Sequence, residues 1–383
     1  MFQGQSCHTH DWPKEPVRFA GERVAVIGTG ATGVQTITEV AKTVGHLTVF
    51  QRTPQWAAPL HNAKITPEEM RRIRDNYADI FARCQQTYGC FIHATDPRST
   101  FEVTPKEREA FWEKLYGEPG FGIWMGNFRD ILVDREANAL ISDFVARKIR
   151  QRVNDPVVAE KLIPKNHGFG TRRVPLESGY FEVYNQPNVK LVDITETPIE
   201  RITPKGIKTR GIKTSDAEYE FDIIIYATGF DAITGAFDRI DIRGVDGVSL
   251  KEKWKDGPQT FLGILVDGFP NLLMVMGPHA GLGNFPRAAE YSADWVTGLI
   301  GFARDRGQTR IEATAAGAAA WTGHVIAASE GLLFTVVDSW ITGINRNVEG
   351  KQVRRIMRYS GGHPAFRERC EAAADGYREL ALA

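Results

Sequence analysis

The first clear pattern along the chain predicts a strand, a tight turn, a helix and a second strand over residues 22–53. Residues 23–27 (RVAVI) are rich in β-branched side chains, and the run stops at Gly28. Residues 32–44 carry apolar side chains at helical spacing, and residues 47–50 (LTVF) form the second short strand. Such a βαβ unit is the building block of a parallel, doubly wound sheet.

The pattern becomes helical over residues 62–164. Residues 66–69 (TPEE) and 104–107 (TPKE) each have the form of a capping box with proline at the first helical position. Further helices are predicted over residues 134–152 and from residue 156. Because this stretch carries almost no strand signal, we interpret it as a helical insertion in an α/β domain.

Strand signals return after residue 187. Segments 189–194, 199–202 and 207–209 are predicted as short antiparallel strands. The apolar run 221–226 (FDIIIY) is typical of a strand that is buried on both faces. A second buried strand is predicted over 271–276, and a long helix over 286–304.

Composition and charge exclude several classes of protein. The chain has 383 residues with 47 basic and 47 acidic side chains, and this zero net charge argues against nucleic-acid binding. No apolar run reaches the ~18 residues of a membrane span, and the N-terminus has no secretory pattern. The four scattered cysteines favour a cytoplasmic protein with reduced thiols. Although Cys7, His8 and His10 resemble metal ligands, neighbours on one strand rarely converge, and we expect no metal site.

The turn after the first strand has the dinucleotide-binding pattern G-x-G-x-x-G. The first glycine makes the tight turn, the second leaves room for a pyrophosphate, and the third lets helix and strand pack closely. The alternative is a glycine-rich turn without a ligand, but a preceding strand and a following helix favour the binding site. The predicted cofactor-binding residues here are Gly28, Thr29, Gly30, Ala31, Thr32, Gly33, Val34 and Gln35.

The end of the second strand favours NADP(H) over NAD(H). NAD-binding proteins place an acidic residue there to hold the ribose 2′-hydroxyl. This chain instead has Arg52 and Thr53, which can bind a 2′-phosphate that a carboxylate would repel. The alternative for Arg52 is a solvated surface arginine.

Residues 2–13 (FQGQSCHTHDWP) match the pattern F-x-G-x-x-x-H-x-x-x-W-P just before the glycine-rich turn. In this the chain resembles the type I Baeyer–Villiger monooxygenases. The ending Trp12-Pro13 favours that branch over the flavin-containing and N-hydroxylating monooxygenases. Further segments are similar to the family in the same order, namely 51–54 (QRTP), 170–173 (GTRR), 185–189 (NQPNV), 227–231 (ATGFD) and 339–345 (SWITGIN).

The resemblance implies a flavoprotein that uses FAD and NADP, with a ketone and O2 as substrates. In the family, NADPH reduces the flavin, which reacts with O2 to a C4a-peroxyflavin. The peroxide attacks the ketone carbonyl, and one oxygen atom is inserted beside it to give an ester or lactone. Alternatives are a flavin-containing or N-hydroxylating monooxygenase, and an NADP-binding fragment that is inactive as an oxygenase.

The resemblance also implies roles for single residues. Arg173 would be catalytic, because a permanent guanidinium charge stabilises the peroxide anion and the charge of its adduct. Arg172 would contact the NADP 2′-phosphate, although without the family frame a basic pair in a loop is usually solvated. Trp340 would cover the nicotinamide end, its alternative being a core or interface tryptophan. Asn284 and Phe285 would lie near the flavin ring.

The chain departs from the family in having a single G-x-G-x-x-G. Family members carry an earlier one, which binds the ADP half of FAD. We therefore expect the N-terminal part of the FAD domain to be missing here and to be supplied by upstream sequence or another chain, and we expect weak FAD binding by this chain alone. The predicted fold class is α/β, a two-dinucleotide-binding-domain flavoprotein. Its predicted domains are a Rossmann-like NADP domain (1–56 and 168–226), a helical insertion (57–167) and the C-terminal part of an FAD domain (227–383).

Overall fold

A computed structural model describes residues 1–211, 217–281 and 283–383. The chain forms two compact units. The first unit comprises Met1–Ala63 and Ser99–Phe230, and the second unit comprises Lys64–Arg98 and Asp231–Ala383. Each unit has its own apolar core.

The strands are short, and most belong to the first unit. In chain order they are β1 (Gln5–His8), β2 (Arg23–Ile27), β3 (His46–Gln51), β4 (Ala58–Pro59), β5 (Leu176–Glu177), β6 (Val189–Asp193), β7 (Ile199–Ile202), β8 (Gly206–Thr209), β9 (Ala217–Glu220), β10 (Ile223–Tyr226), β11 (Ile311–Ala313) and β12 (Leu380–Leu382).

The helices vary in length, and two of them have 18 and 20 residues. In chain order they are α1 (Ala31–Val40), α2 (Pro67–Asp75), α3 (Tyr77–Gln85), α4 (Pro105–Gly117), α5 (Gly122–Met125), α6 (Arg135–Arg152), α7 (Pro156–Leu162), α8 (Leu250–Lys253), α9 (Phe285–Arg304), α10 (Ala315–Ala327) and α11 (His363–Ala374). Single 3₁₀ turns occur at Glu182–Asn185, Phe237–Arg239, Val245–Gly247, Leu333–Val336 and Trp340–Thr342.

The first unit is built on a five-stranded parallel sheet with the strand order β1-β10-β2-β3-β6. The predicted βαβ unit is confirmed, and Val24, Ala25 and Val26 are fully buried in its centre. The run at 221–226 supplies the neighbouring strand β10, which is also buried. A parallel α/β sheet of this kind is the predicted Rossmann-like architecture.

The prediction that residues 189–194 form an antiparallel strand is wrong. β6 pairs in parallel with β3, from Leu47 opposite Val189 to Gln51 opposite Asp193. The chain reaches β6 after a long helical crossover, which returns it to the same end of the sheet as β3. Only the next two segments form the predicted antiparallel pair, β7 with β8, and β9 extends that small sheet.

The helices of the middle segment begin as predicted, but they do not form one insertion. Thr66 and Thr104 both form complete capping boxes. Residues 64–98 group with the second unit, whereas 99–167 pack on the parallel sheet. The cause is tertiary: the Tyr88 hydroxyl donates to the Ser360 carbonyl (2.7 Å), and the Gly89 carbonyl accepts the Asn284 N–H (2.7 Å).

The second unit is mainly helical. Trp295 and Leu299 of α9 pack in one core with Trp321 of α10 and Phe366 of α11. The strand predicted over 271–276 is not formed. Asn271 and Met276, at the two ends of the apolar segment, have left-handed φ angles of 61° and 64°, and among the described residues the segment pairs with no strand. Among the described residues, no helix is both long and apolar enough to cross a membrane.

Candidate active site

Three signature segments meet at the carboxyl edge of the parallel sheet. β1, β10 and β2 are neighbours and run in one direction, so their following loops emerge on the same side. The His10 N–H donates to His8 Nδ1 (3.0 Å), which leaves His8 Nε2–H to donate to the Thr228 hydroxyl (3.1 Å). The contact joins the fingerprint to the ATGFD segment. Ligands of open α/β sheets bind at this edge.

The glycine-rich turn has the geometry of a pyrophosphate cradle. Gly28 has a φ of 106°, and a Cβ on it would overlap the Ala227 carbonyl. A Cβ on Gly33 would overlap the Gly28 carbonyl, so this glycine is needed for close packing. Gly30 is exposed, and among the described residues no atom lies within 4 Å of a Cβ built on it. The open space above Gly30 fits the predicted approach of a phosphate.

The start of α1 leaves backbone donors facing this space. Gly30 is the N-cap, and among the described residues no side chain caps the helix. The first N–H groups of a helix have no intrahelical acceptors, and the helix dipole favours an anion there. Ala31 and Thr32 are half-buried in this first turn, and Gln35 is exposed. Val34 lies in the core, and its N–H donates to the Gly30 carbonyl (2.9 Å).

The end of β3 presents a cation next to the same turn. Gln51 is buried, with its amide donating to the Lys161 carbonyl (2.6 Å), whereas Arg52 is exposed. The Thr29 hydroxyl donates to the Thr53 carbonyl (2.9 Å), which ties this segment to the glycine-rich turn. Among the described residues no carboxylate pairs with Arg52. The residues present therefore fit a dinucleotide with an additional phosphate.

The loop with Arg172 and Arg173 lies beside the segment that follows Arg52. The Gln55 side chain donates to the Arg173 carbonyl, and Trp56 Nε1 donates to the His167 carbonyl (2.9 Å). Arg173 is exposed, with no ion-pair partner among the described residues, and Arg172 is half-buried. Burial, assisted by the Arg172 charge, lowers the pKa of His167 to about 3, so this histidine is neutral. The structure thus gathers the predicted cations of the first unit in neighbouring loops.

The remaining predicted residues lie in the second unit. Asn284 is the N-cap of α9, and Phe285 has 54% of its surface exposed. Trp340 is half-buried in a 3₁₀ turn, which Ser339 caps through its hydroxyl. His279 is buried and bonded to the Ile356 carbonyl (3.0 Å), and burial lowers its pKa to about 4. The described residues hold no group of histidine, cysteine and acidic side chains suited to a metal ion.

Comparison with known proteins assigns the family. No family model matches the chain. It is 46% identical over 391 residues to 2-oxo-Δ3-4,5,5-trimethylcyclopentenylacetyl-CoA monooxygenase of Pseudomonas putida, covering 100% of this chain and 71% of that protein. A protein of Pseudooceanicola batsensis called Baeyer–Villiger monooxygenase is 36% identical over 381 residues, covering 99% and 68%. The chain belongs to the Baeyer–Villiger monooxygenase family.

Solved structures agree with this assignment. The crystal structure of OTEMO in complex with FAD and NADP matches with a TM-score of 0.94 and 46% identity, over 100% of this chain and 71% of that one. The predicted α/β flavoprotein fold is thereby confirmed. A phenazine N-monooxygenase of Lysobacter antibioticus is also similar, with 36% identity over 375 residues and coverage of 98% and 68%.

Sequence reasoning missed the residues that hold the arginine loop, which is the loop with Arg172 and Arg173 in this Baeyer–Villiger monooxygenase. Gln55, Asn138 and Glu177 are buried polar residues that bond to the backbone around it. Asn138 stands at helical spacing with the apolar residues Ile141 and Val145, where a polar residue usually has a fixed hydrogen-bond partner. That signal could have marked Asn138, although it could not have named its partner, and no comparable signal marks Glu177.

Proposed function

We propose that this chain is an NADPH- and FAD-dependent Baeyer–Villiger monooxygenase that inserts one oxygen atom beside a ketone carbonyl to give an ester or lactone. One observation carries the proposal. The Arg52 segment and the Arg172–Arg173 loop lie side by side at the carboxyl edge of the sheet, through the bonds of Gln55 and Trp56. Two cationic segments beside a phosphate cradle suit NADPH, and membership in the family supplies the reaction class.

The cofactor-binding residues divide the work. The backbone N–H groups of Ala31, Thr32 and Gly33 bind the pyrophosphate, for which Gly30 leaves space. Arg52, Thr53 and Arg172 bind the 2′-phosphate, since a guanidinium can take a phosphate through two parallel hydrogen bonds. An NADH lacking that phosphate loses these bonds and is bound more weakly.

Arg173 is the catalytic residue in this proposal. When bound, reduced FAD supplies the activation of O2. Arg173 supplies a permanent positive charge that stabilises negative charge on the attacking oxygen and on the adduct with the ketone. A guanidinium suits this role because it stays protonated at any working pH. Exposure of Arg173 leaves its donors available for that contact.

FAD would be held by two parts of the protein, one at the flavin ring and one at the ADP half. We propose that Asn284 and Phe285 at the start of α9 approach the flavin ring, and that Trp340 covers the nicotinamide. The ADP half needs a second glycine-rich turn, and the sequence contains only one G-x-G-x-x-G. We therefore propose that a dinucleotide-binding unit outside these 383 residues completes the site.

The four cysteines are unpaired and buried thiols, in agreement with a cytoplasmic location.

The function is tested by product analysis. The purified chain is incubated with FAD, NADPH and a panel of cyclic and open-chain ketones under 18O2, both alone and with the remaining part of a family FAD domain added. An ester or lactone that contains one 18O atom is the expected product. A colourless protein that forms no ester in either condition would instead support an NADP-binding fragment without oxygenase activity.

The second candidate is oxygenation of nitrogen. The similarity to a phenazine N-monooxygenase supports this candidate, because a protein related to this chain is named for oxygenation of nitrogen. The fingerprint ending Trp12-Pro13 favours the ketone reaction. The same assay with aromatic and aliphatic amines separates the two, since N-oxide formation without any ester would reverse the ranking.

A further inference from the structure

The arginine segment, residues 168–177, carries Arg172 and Arg173. The first residues of this segment are attached to the first half of helix α6. Asn138 of α6 donates from its amide to the Phe169 carbonyl (2.9 Å), and the Phe169 N–H donates to the Ser142 hydroxyl (2.9 Å). A Cβ on Gly168 would overlap the Asn138 side chain, so the backbone lies directly against the helix there. Both polar side chains come from the first half of α6.

The same segment is attached to α6 again at its end, through a buried ion pair. The Glu177 carboxylate is fully buried and accepts two bonds from Arg152, the last residue of α6, at 2.7 and 3.1 Å. It also accepts the N–H groups of Gly179 and Tyr180, both at 2.8 Å. At about 1.5 Å per residue, roughly 21 Å of helix separates Asn138 from Arg152. One rigid element therefore determines where both ends of the arginine segment lie.

Arg152 has no donor left for a ligand. Its five N–H groups make five hydrogen bonds: two to Glu177, two to Glu182 and one to the Tyr116 hydroxyl. Its guanidinium also lies over the Phe181 ring, 5.0 Å from the centroid. A guanidinium so completely satisfied can act only by placing the groups around it.

The position of Glu177 is transmitted to the cations by backbone pairing. β5, which contains Glu177, pairs with β4, and the Leu60 N–H donates to the Glu177 carbonyl (2.8 Å). The Ala58 N–H donates to the Pro175 carbonyl (3.1 Å). Gln55 then bonds to the Arg173 carbonyl. A shift of β5 along α6 would thus strain the bonds that hold Arg172 and Arg173 beside the segment that follows Arg52.

We propose that Glu177, through its ion pair with Arg152, is a positioning residue for NADPH recognition: it holds the arginine segment at the place where Arg172 and Arg52 reach one 2′-phosphate. The inference rests on the proposed function and deepens it. Glu177 is fully buried and both of its carboxylate oxygens are bonded within the protein, so it acts on a cofactor only through the residues that it positions. Its contribution therefore appears in the preference for NADP+ over NAD+, and not in the binding of the parts that the two cofactors share.

The test is Glu177→Gln in the 383-residue chain, with the dissociation constants of NADP+ and NAD+ measured by calorimetry. Glutamine keeps the size of the side chain but turns an amide NH2 toward the donors of Arg152. We expect the ratio of the two constants to fall at least about fivefold, because bonds to charged groups that are no longer aligned lose most of their strength. A general loss of folded protein would weaken the binding of NADP+ and of NAD+ equally and would leave the ratio of their dissociation constants unchanged.

Glu182→Gln is the matched control. This variant also removes one of the two negative charges that pair with Arg152, but Glu182 lies after β5 in a 3₁₀ turn and is half-exposed. We expect its melting temperature to fall and its NADP+/NAD+ ratio to stay at the wild-type value. If Glu177→Gln does not fold, Arg152→Lys, which retains the charge but not the five donors, is measured instead.

The possible outcomes separate the inference from the proposed function. A wild-type chain that binds both cofactors equally contradicts the NADPH assignment, and the inference falls with it. A selective wild type whose ratio is the same in Glu177→Gln, or in Arg152→Lys where that variant replaces it, overturns the inference alone. A ratio that falls in Glu182→Gln as much as in Glu177→Gln also overturns it, because the effect is then not specific to β5.

Discussion

The arginines around the candidate site fall into two contrasting environments. Arg152 is mostly buried, with 19% of its side chain exposed, and all of its donors are used within the protein. Arg52 and Arg173 are exposed, and neither has an ion-pair partner among the described residues. The guanidinium group is the same in each case. The surroundings of the guanidinium group therefore decide whether an arginine organises the fold or remains available to an anionic ligand.

The stability of the protein should depend most strongly on the buried arginine. Arg152→Met leaves the fully buried Glu177 carboxylate without its cation, and removing one partner of a buried pair costs about 3–5 kcal/mol. Urea unfolding should show that loss. Arg147→Met, on the same helix but with its pairs to Glu109 and Asp143 half-exposed, should cost about 0–1 kcal/mol. Equal losses in the two variants would remove the contrast between buried and exposed arginines.

The next effect is on the reaction, at Arg173. In the complete enzyme, Arg173→Ala should lower the rate of ester formation about 10²–10³-fold, as expected when a group that stabilises developing negative charge is removed. NADPH should still bind, and the flavin should still be reduced. Both are followed by absorbance while the ester is measured by gas chromatography. Wild-type ester yield in the variant would exclude a catalytic role, and Arg173→Lys shows how much the charge alone contributes.

A smaller effect is expected on cofactor choice, at Arg52. Arg52→Ala should reduce the preference for NADPH over NADH about 10–150-fold, since bonds to a charged phosphate contribute roughly 1.5–3 kcal/mol. Steady-state kinetics with both cofactors measures this ratio. Arg23→Ala is the control, because Arg23 begins β2 at the opposite edge of the sheet and pairs with Asp222 and Glu220. A parallel change in that variant would mean that Arg52 acts through general charge alone.

The smallest effect is a dependence of stability on pH from His167, which senses the Arg172 charge. Its pKa is about 3 when folded, against ~6.5 in an unfolded chain. The unfolded state therefore binds the extra proton, so stability is complete above pH 6.5 and decreases as the pH falls toward 3. At pH 5.5 this residue should cost about 1 kcal/mol relative to pH 7.5. His167→Gln should abolish that part of the pH dependence in urea unfolding, and an unchanged slope would contradict a neutral buried histidine.

Local signals in the sequence were sufficient for much of the architecture. β2 ends at Ile27, just before Gly28, as predicted, both capping boxes form, and α9 begins and ends within one residue of its predicted bounds. These features depend on side chains that are close along the chain, so short patterns determine them. The family fingerprint was equally local, and it led to the family that the comparisons confirm.

Partners distant along the chain could not be predicted in this way. The direction of β6, the absence of a strand at residues 271–276 and the division of the middle segment all depend on which surface each segment packs against. The roles assigned to Arg173, Asn284, Phe285 and Trp340 stay predictions. Their positions are known within each unit, and the role of Arg173 is the one that the experiments above test.

Residue types and their spacing along this chain predicted a parallel sheet, a glycine-rich turn before α1 and a cation in place of the usual acid after β3. The tertiary structure alone shows that all five guanidinium donors of Arg152 are used within the protein, and that Glu177 and Asn138 attach the arginine loop to one helix. The reason is physical. A glycine turn or a helix cap is satisfied by neighbours in the chain, whereas a buried charge must find its counter-charge wherever packing brings one, here 25 residues away.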